Sequence, residues 1–513
     1  MCVRLLRLGL VSLLLSSLAG CASSCANDHA FQEKVHSLCA PAAACTPQIP
    51  ATVPPVEPKL EGEHVIDFYV QAALTRNPDI LAAERQVAAQ AEVVPQVTSL
   101  PDPVLSGNLY PSQNQTIQTA AGFVRTNLVI SQQFPWCGKL RLRGEVARQN
   151  TKIALTQLAA TQLKVIEDVK LVYYDIYFNR RALKIIDDSE KLLREDFIDP
   201  ARAGVGKTTR LDLMRGEVEL VKLRDQRISL RQRLIQAQAD LSKILSTSPD
   251  SNLASADVFD LPAVPDQLDR LYQAALISRP ELQERLQTTA RDERLVELAR
   301  LNYVPDLTVG FVWYDVVAND ALSKTANGEN ALGIAFGVNL PIWQRKLQAG
   351  VREAQNREAR SARLYQSSRD DTLRLIRRLT VQAHSLEQQL ELYRKELVPS
   401  AVEALRIAHE GHKTETVNPV RVVDNWLQLM TLWLQQARLE TSLGQTLASL
   451  ERVVGEQLTR MKDGPGAAVC PPSGIPPSGQ RRPDADQDQL PLRRDESLPP
   501  PQRLDAAPPD EPE

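Results

Sequence analysis

Ala201–Thr208 reads ARAGVGKT, a Gly-rich spacing in which backbone N–H groups can cradle a phosphate and the Lys can reach it. That chemistry requires a buried apolar strand before the loop and a helix after it. The preceding residues, LLREDFIDP (Leu192–Pro200), instead form the polar end of a long helical pattern, so a turn is expected here and not a nucleotide site. His409 and His412 stand three apart beside Glu410, a spacing that can offer two imidazoles on one helix face to a metal. No third ligand accompanies them, and solvated histidines near a turn are the expected reading. No Ser/His/Asp, Cys/His or paired-carboxylate arrangement stands out, so neither an enzyme, a cofactor nor a metal centre is expected. A net charge of −3 with both signs mixed argues against a nucleic-acid surface.

The most specific chemistry lies at the start of the chain. Arg4 and Arg7 precede the apolar stretch Leu8–Leu18, which is too short for a stable spanning helix and reads as an export signal. It closes with Leu18-Ala19-Gly20-Cys21, which resembles a bacterial lipoprotein cleavage box. In that pattern Cys21 becomes the mature N-terminus and carries acyl chains, and several chains hold a protein on a membrane stably. An ordinary signal peptide with a chance Cys is the alternative. Cys25, Cys39, Cys45, Cys137 and Cys470 remain, with Cys39 and Cys45 the nearest pair, and spacing alone leaves their connectivity open. No later stretch has the roughly 18 apolar residues of a spanning helix, so further membrane contact must come from strands.

The elements between these ends occur twice. Tyr69–Ile80 (YVQAALTRNPDI) and Leu271–Leu282 (LYQAALISRPEL) match at Gln, Ala, Ala, Leu and Pro, and such repetition governs the reading of a whole fold. Each copy continues with a helical run, a Pro, two alternating segments about a polar loop, a second Pro and a very long helical pattern. The layout predicts a signal over 1–20, a lipid-anchored Pro/Ala-rich leader over 21–62, repeats over 63–262 and 263–462, and a disordered Pro-rich tail over 463–513. In the first repeat, Lys139–Pro200 is roughly 62 residues, close to the sum of Asp79–Leu100 and Thr208–Ser246. In the second, Trp343–Glu410 is similarly close to Glu281–Tyr303 plus Thr416–Glu456. Two short helices laid end to end beside one long helix make a uniform rod. Val165, Val169, Val172, Ile176, Asn179, Leu183, Ile186, Glu190 and Leu193 advance by alternating fours and threes, as do Val423, Leu427, Met430, Leu434, Ala437 and Thr441. That is the spacing of a coiled-coil seam.

Val124–Phe134, Leu307–Trp313 and Leu332–Leu340 alternate apolar with polar or small residues, and Val104–Tyr110 does so more weakly. An apolar face opposite a polar one over such lengths is the signature of a membrane β-strand. Pro103, Pro135, Pro305 and Pro341 mark the strand–helix junctions. Four strands cannot close a barrel, and lipid tolerates no open edge, so three chains supplying twelve strands are expected.

This arrangement resembles the outer membrane efflux protein family, the TolC-like exit ducts. The likeness covers about His64–Gln457 and rests on Ala73–Pro78, Ala275–Pro280, FPWCGKLRLRGEVA (Phe134–Ala147) and GKTTRLDLMRGEVEL (Gly206–Leu220). It implies a mainly α fold with a membrane β-barrel portion: a duplicated helix–strand–strand–long helix–helix repeat in a homotrimer. Twelve strands would form a barrel in the outer membrane, continuous with a long periplasmic α-helical barrel. It implies a passive conduit docked to a periplasmic adaptor (membrane fusion) protein and an inner-membrane efflux pump. The docking tips would hold Gly206, Lys207, Leu211, Asp212 and, in the longer second tip Gly411–Met430, Gly411. By the same resemblance Asp424 lines the narrow periplasmic aperture. FPWCGKL and GKTTRLDL are similar to ducts of heavy-metal efflux systems, which makes metal cations a candidate cargo. The competing reading is a lipid-anchored periplasmic coiled-coil protein without channel activity.

Overall fold

The computed structural model describes residues 62–110, 118–199, 210–256, 261–318, 325–414 and 418–458. In the first repeat, β1 (Gly62–His64) leads into α1 (Ile66–Arg76) and α2 (Pro78–Thr98). Then come β2 (Val104–Leu109), β3 (Gln118–Thr119), β4 (Gly122–Phe134), α3 (Lys139–Leu192), α4 (Arg210–Ile244) and β5 (Leu253–Ser255). The second repeat holds α5 (Leu268–Ser278), α6 (Pro280–Leu301), β6 (Leu307–Val317), β7 (Ala331–Val338), α7 (Gln344–Leu392), α8 (Val398–Lys413) and α9 (Pro419–Val454).

The short helices do lie end to end. Asn77 starts α2 by accepting from the N–H of Asp79 at 2.9 Å, with Pro78 preset for the first helical turn. The same side chain donates to the carbonyl of Ile244, at the end of α4, at 2.9 Å. One residue thus caps the start of α2 and satisfies an orphan acceptor where α4 ends. In the second repeat α9 ends on Gly455, whose φ of +85° is the left-handed cap that glycine adopts without strain. There Ser278, just before α6, hydrogen-bonds Glu456, just after α9. Sequence periodicity alone does not reveal these two caps.

Helix α3 packs against α2 and α4 and also against α6 and α9, while α7 packs against α6 and α9 and α8 against α9. The helices therefore form a row, with α2/α4 and α7/α8 as its outer members. The seam residues behave as spaced: Val165, Val169, Ile176, Asn179, Ile186, Glu190 and Leu193 are buried. Tyr69, Ala73, Ile80, Val169, Tyr173, Leu241 and Leu253 make one core, and Leu271, Ala275, Ile376, Ala383, Leu447 and Leu450 make its counterpart in the other repeat. Ion pairs Arg452–Glu167 (2.6 Å) and Lys170–Glu451 tie α9 to α3 across the repeats. Both long helices also contain a π-helical turn, Leu193–Ile198 after α3 and Tyr393–Leu397 between α7 and α8. Nothing in the apolar spacing announces these turns.

The main sheet runs β2-β4-β6-β7, all antiparallel, with β3 hairpinned onto β4. The two repeats meet at β4 and β6. A separate parallel pair, β1 with β5, joins the segment before α1 to the one after α4. Tyr69 fastens it by donating to the carbonyl of Ala254 at 2.9 Å, and burial pushes its phenol up to about 12.

Candidate functional site

Cross-strand register places Leu105, Ile130, Phe311 and Ile334 in one line across the sheet. Leu128, Trp313 and Leu332 form a second line, and Phe134, Leu307 and Val338 a third. Directly opposed residues share a face, so the sheet has one apolar face, interrupted at Gln132, which lies opposite Val309. That face is bare: Leu105, Leu128, Ile130, Phe311, Leu332, Ile334 and Phe336 are exposed, Leu332 at 76 %. The other face carries Asn127, Ser131, Gln133, Thr308, Gly310, Gly333, Ala335 and Gly337. Val312 interrupts its polarity and pairs there with Val129. Strands β2 and β7 have no partner on their outer sides among the described residues.

The strand–helix junctions are held by a polar group that composition does not signal. Asp306, immediately before β6, accepts from the Lys139 ammonium at 2.7 Å and from the Trp136 N–H at 2.8 Å. Lys139 also donates to the carbonyl of Val304 at 2.8 Å, and its side chain is only 4 % exposed. The Asp306 N–H is bound by the side chain of Asn339, beyond β7. One residue thus joins the β4–α3 and β7–α7 connections. Burial alone raises the Asp306 carboxyl, but the Lys139 and Trp136 hydrogen bonds and the charges of Lys139 and Arg143 outweigh it and hold the group below its ordinary value. Gly138, with φ of +94°, makes the left-handed turn that brings Lys139 into place at the start of α3. The only signals in the sequence were Pro305-Asp306 and Cys137-Gly138-Lys139, each beside a junction Pro.

At the other end, the π turn after α3 packs with α4 and α9 through Leu193, Phe197, Ile198, Leu220, Leu223 and Met430. Glu190, buried at the end of α3, binds Arg194 at 3.0 Å, Arg224 at 3.1 Å and Arg227 at 2.8 Å, which ties α4 to α3. Leu211 and Asp212 open α4 and differ sharply: Leu211 is 62 % exposed, Asp212 only 8 %. Asp424 is exposed on α9, on a polar face with Arg421, Gln428, Thr431, Gln435 and Arg438. Gly411 lies inside the last turn of α8, which runs on to Lys413, so it is helical and is not the residue that turns the chain. The Asn418-Pro419 pair beyond it starts the returning helix: Asn418 accepts from the Val420 N–H at 2.9 Å and Pro419 occupies the first turn. Cys21, Gly206 and Lys207 lie outside the described residues, as does the rest of Ala201–Thr208.

His409 and His412 border a groove of about 390 Å³ with Leu193, Phe197, Val422 and Trp426. Among the described residues no three His, Cys, Asp or Glu side chains come together as a metal site. No described helix is long and apolar enough to cross a membrane.

A sheet with one bare apolar face, set at the end of a row of very long helices, defines a membrane channel component. The chain belongs to the outer membrane efflux protein family, whose model matches residues 69–247 and 271–456, and the resemblance read from its motifs is borne out. No curated protein sequence matches it. Among solved structures, CusC is similar with a TM-score of 0.63 and 17 % identity over 79 % of this chain and 98 % of that one. The CmeC outer membrane channel of Campylobacter jejuni gives 0.63 and 17 % over 77 % and 88 %. The open-state MtrE outer membrane channel of Neisseria gonorrhoeae gives 0.62 and 16 % over 77 % and 89 %. At these identities the likeness shows the fold, an α-helical part continuous with a β-barrel part. The family is one of channels and not enzymes, and it places the chain at the outer membrane with its helices in the periplasm.

Proposed function

We propose that three copies of this chain form the passive exit duct of a tripartite efflux system. The observation that carries this is the four-stranded sheet with its bare apolar face and two unpaired edges. Lipid cannot satisfy the N–H and C=O groups of an open edge, so β7 of one copy pairs with β2 of the next. Two copies would give eight strands, whose interior is filled by side chains; three give twelve and leave a passage. The outer members of the helix row meet in the same way and continue the wall into the periplasm. A periplasmic adaptor docks at the tips and an inner-membrane pump supplies the energy, with heavy-metal cations a candidate cargo on the strength of FPWCGKL and GKTTRLDL. Purified protein is expected to run as a heat-modifiable trimer and to conduct ions in planar bilayers. A monomeric, non-conducting rod would establish the structural coiled-coil reading instead.

Two residues carry finer parts of the proposal. Cys21 anchors the chain through acyl groups, so Cys21→Ser is expected to abolish incorporation of radioactive fatty acid while trimers still form. Unchanged labelling overturns the anchor. Asp424, exposed near the start of α9, forms a threefold ring of carboxylates at the aperture, where such rings attract and hold cations. Asp424→Ala is expected to relieve block by trivalent cations added from the periplasmic side, whereas Asp212→Ala, at a buried position, changes block less. Identical block in wild type and Asp424→Ala removes the ring.

A further inference from the structure

The apolar face of the sheet continues past the ends of its strands. Trp136 stands one alternation beyond Phe134 and is half exposed, at 50 %. Beyond β7, Leu340, Ile342 and Trp343 are exposed as well, Trp343 at 72 %. Phe134 pairs with Leu307, and Leu307 with Val338, so these two extensions leave the sheet at one level, two strands or about 10 Å apart. Trp136 follows an inner strand, since β4 is paired with β2 over Thr126–Ser131 and with β6 as far as Phe134. Cations follow within a helical turn or two: Arg141 and Arg143 on α3, Arg345 and Lys346 on α7. Arg141 is paired with Glu145 at 2.6 Å, and Lys139 is taken by Asp306. Arg345 and Lys346 make no ion pair among the described residues, and Arg143 makes none either, although its charge acts on Asp306.

Tryptophans with an apolar body and a polar N–H settle at the headgroup level of a membrane, and cations just outside the hydrocarbon attract anionic headgroups. We infer that this periplasmic rim is a binding site for phospholipids with an anionic headgroup. Their acyl chains lie against the apolar sheet face, and their phosphates meet Arg143, Arg345 and Lys346. The inference rests on the membrane reading of the sheet proposed above, and it names the lipid that the sheet selects.

The five tryptophans of the chain allow a direct test. Trp313 lies within β6, while Trp426 and Trp433 lie on α9 near the tip, so Trp313→Phe leaves Trp136 and Trp343 as the tryptophans beside the bilayer. The full chain carrying this change is reconstituted at low salt in phosphatidylcholine vesicles with a minority of phosphatidylglycerol. Bromine is placed on the chains of phosphatidylglycerol or of an equal fraction of phosphatidylcholine, and tryptophan quenching is compared. Brominated phosphatidylglycerol is expected to quench more, reflecting about fivefold local enrichment for each cation that reaches a headgroup, and the excess is expected to fall as salt rises. Adding R143Q, R345Q and K346Q is expected to bring the two lipids to equality. Equal quenching before those substitutions, or an undiminished excess after them, overturns the anionic site and leaves the membrane reading standing. Absence of quenching by either lipid overturns both. Should Trp313→Phe fail to assemble, the wild-type chain and its triple charge variant give the same comparison, since Trp313 reports the two lipids alike.

Discussion

Arg in place of Ile334 is expected to destabilise the assembled channel by about 2–4 kcal/mol, the cost of a cation on the lipid face near mid-bilayer. Ile334 lies across from Phe311 on the apolar face and is 61 % exposed. Its neighbour Ala335 lies across from Gly310 on the small, polar face. Arg at Ala335 is therefore expected to leave assembly largely intact and to alter conductance and ion selectivity, because its guanidinium enters water. Trimer yield after refolding, measured for both variants against wild type, separates the faces. Equal losses at the two positions would show that the alternation has been assigned to the wrong surroundings.

That assignment was legible in the sequence because alternation needs only local order. Leu332, Ile334, Phe336 and Val338 declare a face whichever strand lies beside them, and the seam of α3 declares itself in the same way. The long helices and the strand–helix punctuation followed from the same short-range signals. What the sequence withheld depends on contacts between distant segments. Asn77 reads as a helix cap, but its second bond, to Ile244, requires knowing that α4 ends there. The β1–β5 pair is only three residues long on each side, too short to carry a pattern. The resemblance placed Gly411 at the start of the second tip, but where a long helix ends depends on what it packs against. The cap that starts the next helix is Asn418, and α8 continues through Gly411 to Lys413. Asp212 and Asp424 occupy similar places shortly after a tip, yet one is buried and the other exposed, a difference set by which neighbour each helix start packs on.

Asp306→Ala is expected to lower stability by about 1–3 kcal/mol, since the buried Lys139 ammonium loses its counter-charge while Asp306 itself is only half-buried. Here the stranded group is Lys139, 4 % exposed and fixed between Asp306 and the carbonyl of Val304. The loss falls on the junction that links both repeats to their strands, so the denaturation midpoint of the assembled protein is the appropriate measure. Replacing both residues, as K139M with D306L, removes the stranded charge and is expected to recover most of the loss. The pH dependence has a definite sign. Because the native Asp306 carboxyl is held below its ordinary value, its contribution is complete above the unfolded pKa and is lost as pH falls through the depressed native one. The gap between wild type and Asp306→Ala should therefore be constant near neutrality and close below about pH 4. A gap that instead widened in acid, or midpoints that coincided at neutral pH, would mean that the Lys139–Asp306 pair does not hold the barrel to its helices.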